Sequence, residues 1–378
     1  MRRTVWIYGS VASALVVLFL ASVARSYHPG TGFTSLIGFP AGHDYEVPAL
    51  RGVPHYDYPD ISYDGQFYAQ LALDPLLRNP ATDRAMDMAP FRARRILFSW
   101  TAYALGLGRP AWILEAYALQ NVACWLILAA LLTRWMPPTT GRGLALWSAC
   151  LFSHGMLWSV RFALLDVPSL TLTTIAVAAV EKGRRWLSAV IIGIAGLGRE
   201  TSLLAMVAQP IPRDRRAWAR LPLAGILAVL PLLIWTDYLR SIYRSTLMAH
   251  TDQLALGTGL IRGWQDVLFI DVKSGGLFSL AGLWLCVLIS LAAQAIYLLV
   301  RREYTMPWWR VAVVYAVLML FLDRAVADPN AGAITRVLLP MTVGFNVLLA
   351  SETRWTRFWP WFAVGNLHLL GVATFKGL

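Results

Sequence analysis

The chain has 378 residues, of which 57% are hydrophobic and only 14% are charged. Soluble globular domains are about 45–50% apolar and about 25% charged, so a water-soluble enzyme, a disordered chain and a nucleic-acid-binding module are poor interpretations. The 33 Lys and Arg residues outnumber the 21 Asp and Glu residues, which gives a net charge of +12. In a membrane protein, the loops in which Lys and Arg concentrate indicate which side of the membrane is cytoplasmic.

Repeated apolar runs predict an all-α polytopic membrane protein. The first run, 5–24, follows Met1-Arg-Arg and is long enough to cross a hydrocarbon core of about 30 Å. Because no clear cleavage site follows it, we expect a signal anchor with a cytoplasmic N-terminus. A polar stretch over 25–110 comes next. Nine further apolar runs follow it, at 111–133, 143–160, 167–180, 186–211, 221–239, 277–300, 308–322, 334–350 and 358–375. Each of the three cysteines lies in an apolar run, which indicates neither a disulfide framework nor a cysteine metal site: Cys124, Cys150 and Cys286.

Five short loops between these runs are basic and are therefore expected to be cytoplasmic. They contain Arg134 and Arg142; Lys182, Arg184 and Arg185; Arg213, Arg215, Arg216 and Arg220; Arg301, Arg302 and Arg310; and Arg354 and Arg357. The acidic residues concentrate in the remaining polar segments, 25–110, 161–166, 240–276 and 325–333, which we expect on the outer side. A concave outer face with convergent polar groups is where a site is then expected.

Two runs have to be treated specially to keep the basic loops on one side. Run 96–107 is too short to span and is predicted as an interfacial or re-entrant helix on the outer side. Run 186–211 has a basic loop at each end and carries Arg199-Glu200 midway, so we predict two short helices with this pair at an outward tip. The count is then about eleven membrane helices, two of them short and forming a hairpin, with a long first outer loop that carries interfacial helices.

The densest polar motif is His55-Tyr-Asp-Tyr-Pro-Asp-Ile-Ser-Tyr-Asp-Gly-Gln-Phe-Tyr68. Asp64 can cap a helix over 65–73, or it can accept a proton from an attacking hydroxyl as a general base. The neighbouring polar side chains are candidate substrate-binding residues: His55, Asp57, Tyr63 and Gln66.

Arginines and acids farther along the chain also admit two interpretations each. Arg92 and Arg95 share a helix face, either snorkelling to lipid head groups or forming a fork for a phosphate. In the segment Arg161–Pro168, Asp166 either caps the next helix or takes part in sugar binding. Arg199 and Glu200 either pair with each other or face a substrate cavity. Asp323, Arg324 and Arg336 either bind phosphate or pair with one another.

Cofactor signals in the sequence are weak. The sequence Asp44-Tyr-Glu46, with His55 and Asp57 nearby, has no diagnostic ligand spacing, so no metal ligand is assigned, although a divalent metal stays possible. No nucleotide-binding glycine loop is present. An outward site also has no ready supply of nucleotide sugar, which favours a lipid-carried donor for any group transfer.

The order of these motifs resembles that of bacterial GT-C-fold membrane glycosyltransferases, which use polyprenyl-phosphate sugars. The likeness covers roughly 1–240 and rests on Tyr63-Asp-Gly-Gln-Phe-Tyr68, Ala72-Leu-Asp-Pro75, Arg92 to Leu97, Arg161 to Pro168, and Gly196 to Thr201. The resemblance implies a GT-C-like module over 1–240. The apolar runs and basic loops predict C-terminal membrane helices over 241–378 with an outer loop at 241–276. It further implies inverting sugar transfer in which Asp64 is the base, Asp166 is the second acid and arginines stabilise the leaving lipid phosphate.

We therefore expect a glycosyltransferase of the bacterial inner membrane with its active site on the periplasmic side. Its partners would be a polyprenyl-phosphate-linked sugar, a glycan, lipid or protein acceptor, and membrane lipids, with no nucleic acid. A transporter or lipid flippase for a polyprenyl-linked or anionic substrate is the alternative, because broken helices and intramembrane charges also suit transport. A lipid-binding assembly subunit without chemistry is a third possibility.

Overall fold

The computed structural model describes residues 2–42, 46–212, 214–243, 280–322 and 333–374, together with positions 261, 265 and 326. Asp44, Asp252, Asp266, Asp271, Asp323, Arg324, Asp328 and almost all of the predicted 241–276 loop lie outside these residues. The described chain is mostly helical. Its α-helices are α1 Arg2–Ala24, α2 Pro48–Arg51, α3 Gly65–Leu73, α4 Ala81–Arg84, α5 Ala89–Ala93, α6 Leu97–Leu105, α7 Pro110–Leu132, α8 Gly141–Leu151, α9 His154–Arg161, α10 Asp166–Glu181, α11 Arg185–Gly198, α12 Arg215–Ile242, α13 Leu280–Arg301, α14 Pro307–Met319, α15 Ala333–Val337, α16 Leu339–Ala350 and α17 Trp355–Gly365. Three 3₁₀ helices accompany them, Thr34–Leu36, Glu200–Ala208 and Leu367–Thr374, and two parallel two-residue strands, β1 Phe39–Pro40 and β2 Asp57–Tyr58.

Within the described residues, four helices are long and apolar enough to cross a membrane: Val5–Ala24, Pro110–Leu132, Trp218–Ile242 and Gly282–Arg301. A fifth span results if α8 and α9, which meet at a bend of 44°, are taken together. The sequence predicted one apolar run over 143–160, and the structure breaks this run into α8 and α9. Helix α9 instead packs closely on α15, because a side chain at Gly155 would lie only 2.5 Å from the Thr335 carbonyl oxygen.

The run 186–211 folds back on itself, as the sequence predicted. Helix α11 ends at Gly198, Arg199 is extended, and the chain returns as the 3₁₀ helix Glu200–Ala208. The two ends of the run meet where Gln209 Nε2 donates to the Arg185 carbonyl oxygen at 3.2 Å. Arg199 and Glu200 therefore lie at the tip of a hairpin, although its second arm is a 3₁₀ helix.

Hydrogen bonds join the five basic loops into a closed ring at one end of the bundle. Arg134 bonds to Glu181, Arg185 to Gln209, Arg310 to the Val207 and Ala208 carbonyls, Arg301 to Glu352, and Arg142 to the Glu352 carbonyl. All five loops therefore share one end, which we call the basic end. The length of α10 separates Asp166 from the basic end. Glu181 lies at the basic end of this helix and Asp166 at the other, about 22 Å away at 1.5 Å per residue.

The first polar stretch forms a compact layer held by buried polar contacts. Arg161 donates to the Ser35 carbonyl oxygen at 2.9 Å and to the Tyr58 hydroxyl at 2.7 Å, which ties this layer to the end of α9. The start of α3 lies close to the turn that follows α9, since a side chain at Gly65 would lie 2.1 Å from the Phe162 carbonyl oxygen. This close approach fixes the direction in which Asp64 enters the cavity described next.

Candidate functional site

A cavity of about 400 Å³ opens where α3, α5, the hairpin tip and α15 meet. Its charged lining consists of five arginines and three carboxylates: Arg92, Arg94, Arg95, Arg199, Arg336, Asp64, Asp166 and Glu200. Five guanidinium groups against three carboxylates leave an excess of two positive charges, which favours an anionic ligand. Apolar side chains form the rest of the wall, among them Met88, Phe91, Leu164, Leu165, Leu318, Leu322, Val326 and Val337.

Asp64 holds one carboxylate oxygen against an arginine and leaves the other open. Its Oδ1 accepts a hydrogen bond from Arg92 Nη2 at 2.9 Å, whereas Oδ2 contacts no donor among the described residues. The predicted capping role is wrong, because the side chain makes no cap hydrogen bond to α3. Burial alone would raise the pKa of Asp64, but the guanidinium groups of Arg92 and Arg336 outweigh it and hold this pKa below its usual value. Asp64 is thus ionised at neutral pH.

Arg92 is buried, and carboxylates occupy its Nε and both N–H groups of its Nη2. Its Nε and Nη2 donate to the two oxygens of Asp87 at 3.0 and 2.8 Å, Nη2 also reaches Asp64, and Nη1 lies 3.5 Å from the Tyr68 hydroxyl. The sequence predicted a phosphate fork made by Arg92 with Arg95 on one helix face. However, α5 ends at Ala93, and the fork of Arg92 is occupied by carboxylates.

Asp166 is clasped by two arginines from distant parts of the chain. Its Oδ1 contacts Arg199 Nη1 and its Oδ2 accepts from Arg336 Nη1 at 3.0 Å. Asp166 begins α10 without capping it, so the capping interpretation is wrong here too. Asp166 Oδ1 accepts no hydrogen bond from the described residues, but it is buried against Arg199 and the residue is only 4% exposed, so an acceptor hydroxyl cannot reach it.

Glu200 binds two arginines of the outer layer and does not pair with Arg199. Arg95 Nε donates to Glu200 Oε2 at 2.9 Å, and Arg94 Nε lies 3.5 Å from Oε1. Arg95 Nη1 also reaches the Tyr68 hydroxyl at 3.4 Å. The hairpin tip therefore joins the cavity, and the mutual pairing of Arg199 and Glu200 considered from the sequence does not occur.

Arg94, Arg95 and Arg199 keep N–H groups that contact no acceptor among the described residues. These groups are both terminal nitrogens of Arg94, Nη2 of Arg95, and Nε of Arg199, which is buried. Unpaired guanidinium groups lining a cavity are suited to bind a phosphate or carboxylate of a ligand. The cavity thus combines an ionised carboxylate that has an open oxygen with donors for an anion.

Several predicted substrate-binding residues lie outside this lining. His55 lies in the outer layer, with Nε2 3.1 Å from Asp57 Oδ1 and Nδ1 2.7 Å from the Val53 carbonyl oxygen. Gln66 is buried and bonds to Ser62. Arg161 anchors the layer as described above. Tyr63 supports the cavity from behind, where its hydroxyl accepts from Arg336 Nη2 at 3.1 Å.

The donor set of the cavity fits a divalent cation poorly. All three carboxylates contact arginines, and only Asp64 offers an open oxygen, so a cation would have to displace guanidinium groups. No three His, Cys, Asp or Glu side chains of the described ranges come together in a metal-binding arrangement. We derive no step through a metal.

Sequence reasoning did not assign four residues that build the site. Arg94 was passed over for its neighbours, and Asp87 belonged to no motif. Tyr68 ended the densest polar motif but was assigned no role. Arg336 was left between phosphate binding and pairing with Asp323 and Arg324, and its contact with Asp166 was not foreseen. The mixed spacing of Arg92, Arg94 and Arg95 was the one signal that all three guanidinium groups could reach the same region.

No protein-family model matches the chain, and no curated protein or solved structure matches it.

Proposed function

We propose that this protein is an integral membrane glycosyltransferase that moves a sugar from a polyprenyl-phosphate carrier to an acceptor hydroxyl, with Asp64 as the general base. The observation that carries the proposal is the contrast among the three cavity carboxylates. All four oxygens of Asp166 and Glu200 lie at ion-pair distance from arginines, and two of them, Asp166 Oδ1 and Glu200 Oε1, are buried; Asp64 lines the cavity, and its Oδ2 contacts no donor among the described residues. An open carboxylate oxygen beside unpaired guanidinium groups is what a reaction with a proton to accept and a phosphate to release requires.

The proposed step balances with the residues present. Oδ2 of Asp64 takes the proton of the acceptor hydroxyl while that oxygen bonds to the anomeric carbon of the donor. The bond from this carbon to the phosphate oxygen breaks, and its electron pair leaves with the lipid phosphate. Because attack and departure occur on opposite faces of the sugar, the configuration inverts. Arg94, Arg95 and Arg199 stabilise the charge that grows on the phosphate.

A lipid carrier suits the cavity better than a soluble donor. The charged wall is faced by a broad apolar one that includes Leu318, Leu322 and Val326. An isoprenoid chain can lie along these side chains while its phosphate reaches the arginines. We therefore assign a polyprenyl-phosphate sugar as the donor class, and a glycan, lipid or protein hydroxyl as the acceptor class.

We further propose eleven membrane passes, a cytoplasmic N-terminus and a periplasmic site, in the inner membrane of a bacterium. The ring of basic loops at one end supports this topology, since cytoplasmic loops collect Lys and Arg. Position 141, beside this ring, lies near the N-terminal part of α1, because a side chain at Gly141 would lie 3.2 Å from the Tyr8 hydroxyl oxygen. Arg199, at the tip of the hairpin, and Asp166, about 22 Å along α10, then lie toward the outer face.

One observation favours the transporter alternative. Polar residues line up inside the helical bundle, where Gln294, Thr342, Asn346, Asn366 and His368 are buried. Intramembrane polar groups often mark a transport pathway. In this protein they bond to one another, for example Thr342 Oγ1 to Gln294 Oε1 at 3.1 Å, which holds α13, α16 and the chain after α17 together.

The discriminating experiment is lipid analysis of a strain from which the gene is deleted. If the protein is a glycosyltransferase, a polyprenyl-phosphate sugar or an unmodified acceptor should accumulate in the deletion strain. The wild-type gene should reverse this accumulation, and so should Asp237→Asn, which changes an exposed acid on α12 that has no partner among the described residues. Asp64→Asn should not reverse it. Full complementation by Asp64→Asn would overturn the assignment of Asp64 as the general base.

A further inference from the structure

We propose that Asp87 is a positioning residue that shares the guanidinium group of Arg92, so that one carboxylate oxygen of Asp64 stays open for the acceptor hydroxyl. This inference rests on the proposed function, in which Asp64 is the base. Asp87 belongs to none of the sequence motifs, and it does not line the cavity. We expect Asp87 to affect Asp64 only through its contacts with Arg92.

The contacts of Arg92 define the arrangement. A guanidinium group offers two parallel N–H bonds along its Nε–Nη2 edge, the pairing that best fits a carboxylate. Asp87 occupies this edge with both oxygens, at 3.0 and 2.8 Å. Of the two N–H groups of Nη2, one is then left for Asp64, and it reaches Oδ1 at 2.9 Å.

Asp87 is itself held in place. Its Oδ1 accepts the Met88 backbone N–H at 2.8 Å, immediately before α5 begins. Arg92 is fixed from other sides by the Phe67 ring, whose centroid lies 4.8 Å from the guanidinium carbon, and by the Tyr68 hydroxyl. Asp87 therefore sets the orientation of the Nε–Nη2 edge of Arg92.

Removing the charge of Asp87 would release this edge to Asp64. An asparagine at position 87 keeps one acceptor but replaces the other by an N–H₂ group, which repels Nη2 of Arg92. Arg92 would then turn its full charge and a second N–H toward Asp64, which would cover Oδ2 and make this carboxylate a weaker base. Asp87 thus competes for Arg92, and the competition keeps Asp64 available.

The other charged and titratable groups around Asp64 do not replace Asp87. Arg336 and Arg95 act on Asp64 as further positive charges, and Tyr63 and Tyr117 are neutral phenols in its surroundings. Arg336 is engaged by Asp166 and Tyr63, and Arg95 by Glu200 and Tyr68. Asp87 is therefore the acidic group that sets how much of Arg92 reaches Asp64.

The test compares Asp87→Asn, Arg92→Gln, the double variant Asp87→Asn/Arg92→Gln, and the control Asp237→Asn, each purified in nanodiscs. Two measurements are made. The first is labelling of Asp64 by a hydrophobic carbodiimide as a function of pH, read by peptide mass spectrometry, because the reagent attacks protonated, accessible carboxyls. The second is turnover as a function of pH with a polyprenyl-phosphate sugar.

The proposal expects less Asp64 labelling in Asp87→Asn, more in Arg92→Gln, and no change in Asp237→Asn. Turnover of Asp87→Asn should fall by about tenfold, because complete loss of a general base costs roughly 10²- to 10⁴-fold and this variant only weakens it. Adding Asp87→Asn to Arg92→Gln should change neither quantity further.

The two readouts separate the possible failures. Unchanged labelling of Asp64 in Asp87→Asn, at any activity, would overturn the positioning role. A further loss caused by Asp87→Asn in the Arg92→Gln background would also overturn it, since Asp87 would then act without Arg92. If labelling shifts as expected but the wild-type protein transfers no sugar, the proposed function fails while the relation between Asp87 and Asp64 stands.

Discussion

Arg336 and Asp166 are 170 residues apart in the chain, yet Arg336 Nη1 donates to Asp166 Oδ2 at 3.0 Å inside the bundle. The contact is possible because α15 approaches α9 at Gly155, where a side chain would collide with the backbone of Thr335 and Arg336. Since Asp166 also holds Arg199 at the hairpin tip, this carboxylate joins the C-terminal helices to the hairpin. We regard Asp166 as the structural centre of the cavity and Asp64 as its reactive group.

Asp166→Asn should destabilise the fold. An amide leaves Arg199 and Arg336 without their negative partner, and breaking a buried ion pair by removing one member costs about 3–5 kcal/mol. We expect a clearly lower thermal unfolding temperature in detergent, with Asp237→Asn as the exposed control. An unfolding temperature equal to that of the wild type would show that Asp166 does not stabilise the cavity.

Gly65→Ala should distort the entry of Asp64 into the cavity. The added carbon would lie 2.1 Å from the Phe162 carbonyl oxygen and 2.7 Å from that of Ile37, and backbone atoms cannot yield cheaply. We expect a loss of transfer activity together with a lower unfolding temperature. Gly52→Ala is the matched control, because nothing lies within 4 Å of its added carbon. Equal behaviour of the two variants would refute this account of Gly65.

Arg95→Lys should lower turnover although it keeps the charge. Lysine can still pair with Glu200, but it loses the contact with Tyr68 and the Nη2 donors that we assign to the phosphate. We expect a loss approaching that of Arg95→Ala, on the order of 10²-fold for one missing donor. The comparison is made at saturating lipid donor. Near-wild-type rates for both variants would mean that Arg95 only anchors the outer layer.

Position 215 should be labelled from the cytoplasm, and both the 241–276 loop and a tag after Leu378 from the outer side. The reason is the hairpin, whose two ends meet at Arg185 and Gln209 and return the chain to its starting side. Single cysteines introduced into a cysteine-free background, probed with an impermeant maleimide in intact cells, measure this. Accessibility of position 215 from outside would contradict the hairpin topology.

Local patterns in the sequence predicted much of the helical framework. The helix over 65–73 and the turn at Arg199-Glu200 follow from short-range signals, namely an Asp-Gly start and charges within an apolar run. The sequence left the capping interpretation open for Asp64 and Asp166, and this interpretation is wrong because both side chains bind arginines instead.

The pairing of the site residues was beyond prediction for a physical reason. A carboxylate at a helix start has a local partner, the free backbone N–H groups, and distant partners that only the packed fold brings near. Which partner is chosen depends on close approaches such as those at Gly65 and Gly155, and these involve backbone atoms far along the chain. Arg336 could therefore be noticed as a cation but not placed beside Asp166.

The most direct test of the central claim is turnover of purified Asp64→Asn in nanodiscs supplied with a polyprenyl-phosphate sugar and candidate acceptors. Release of polyprenyl phosphate and formation of the glycosylated acceptor are followed together, with wild type and Asp237→Asn alongside. We predict a folded variant whose turnover falls by at least about 10²-fold, because an amide cannot accept the proton of the hydroxyl. Turnover of Asp64→Asn within a few-fold of wild type would contradict the assignment of Asp64 as the base.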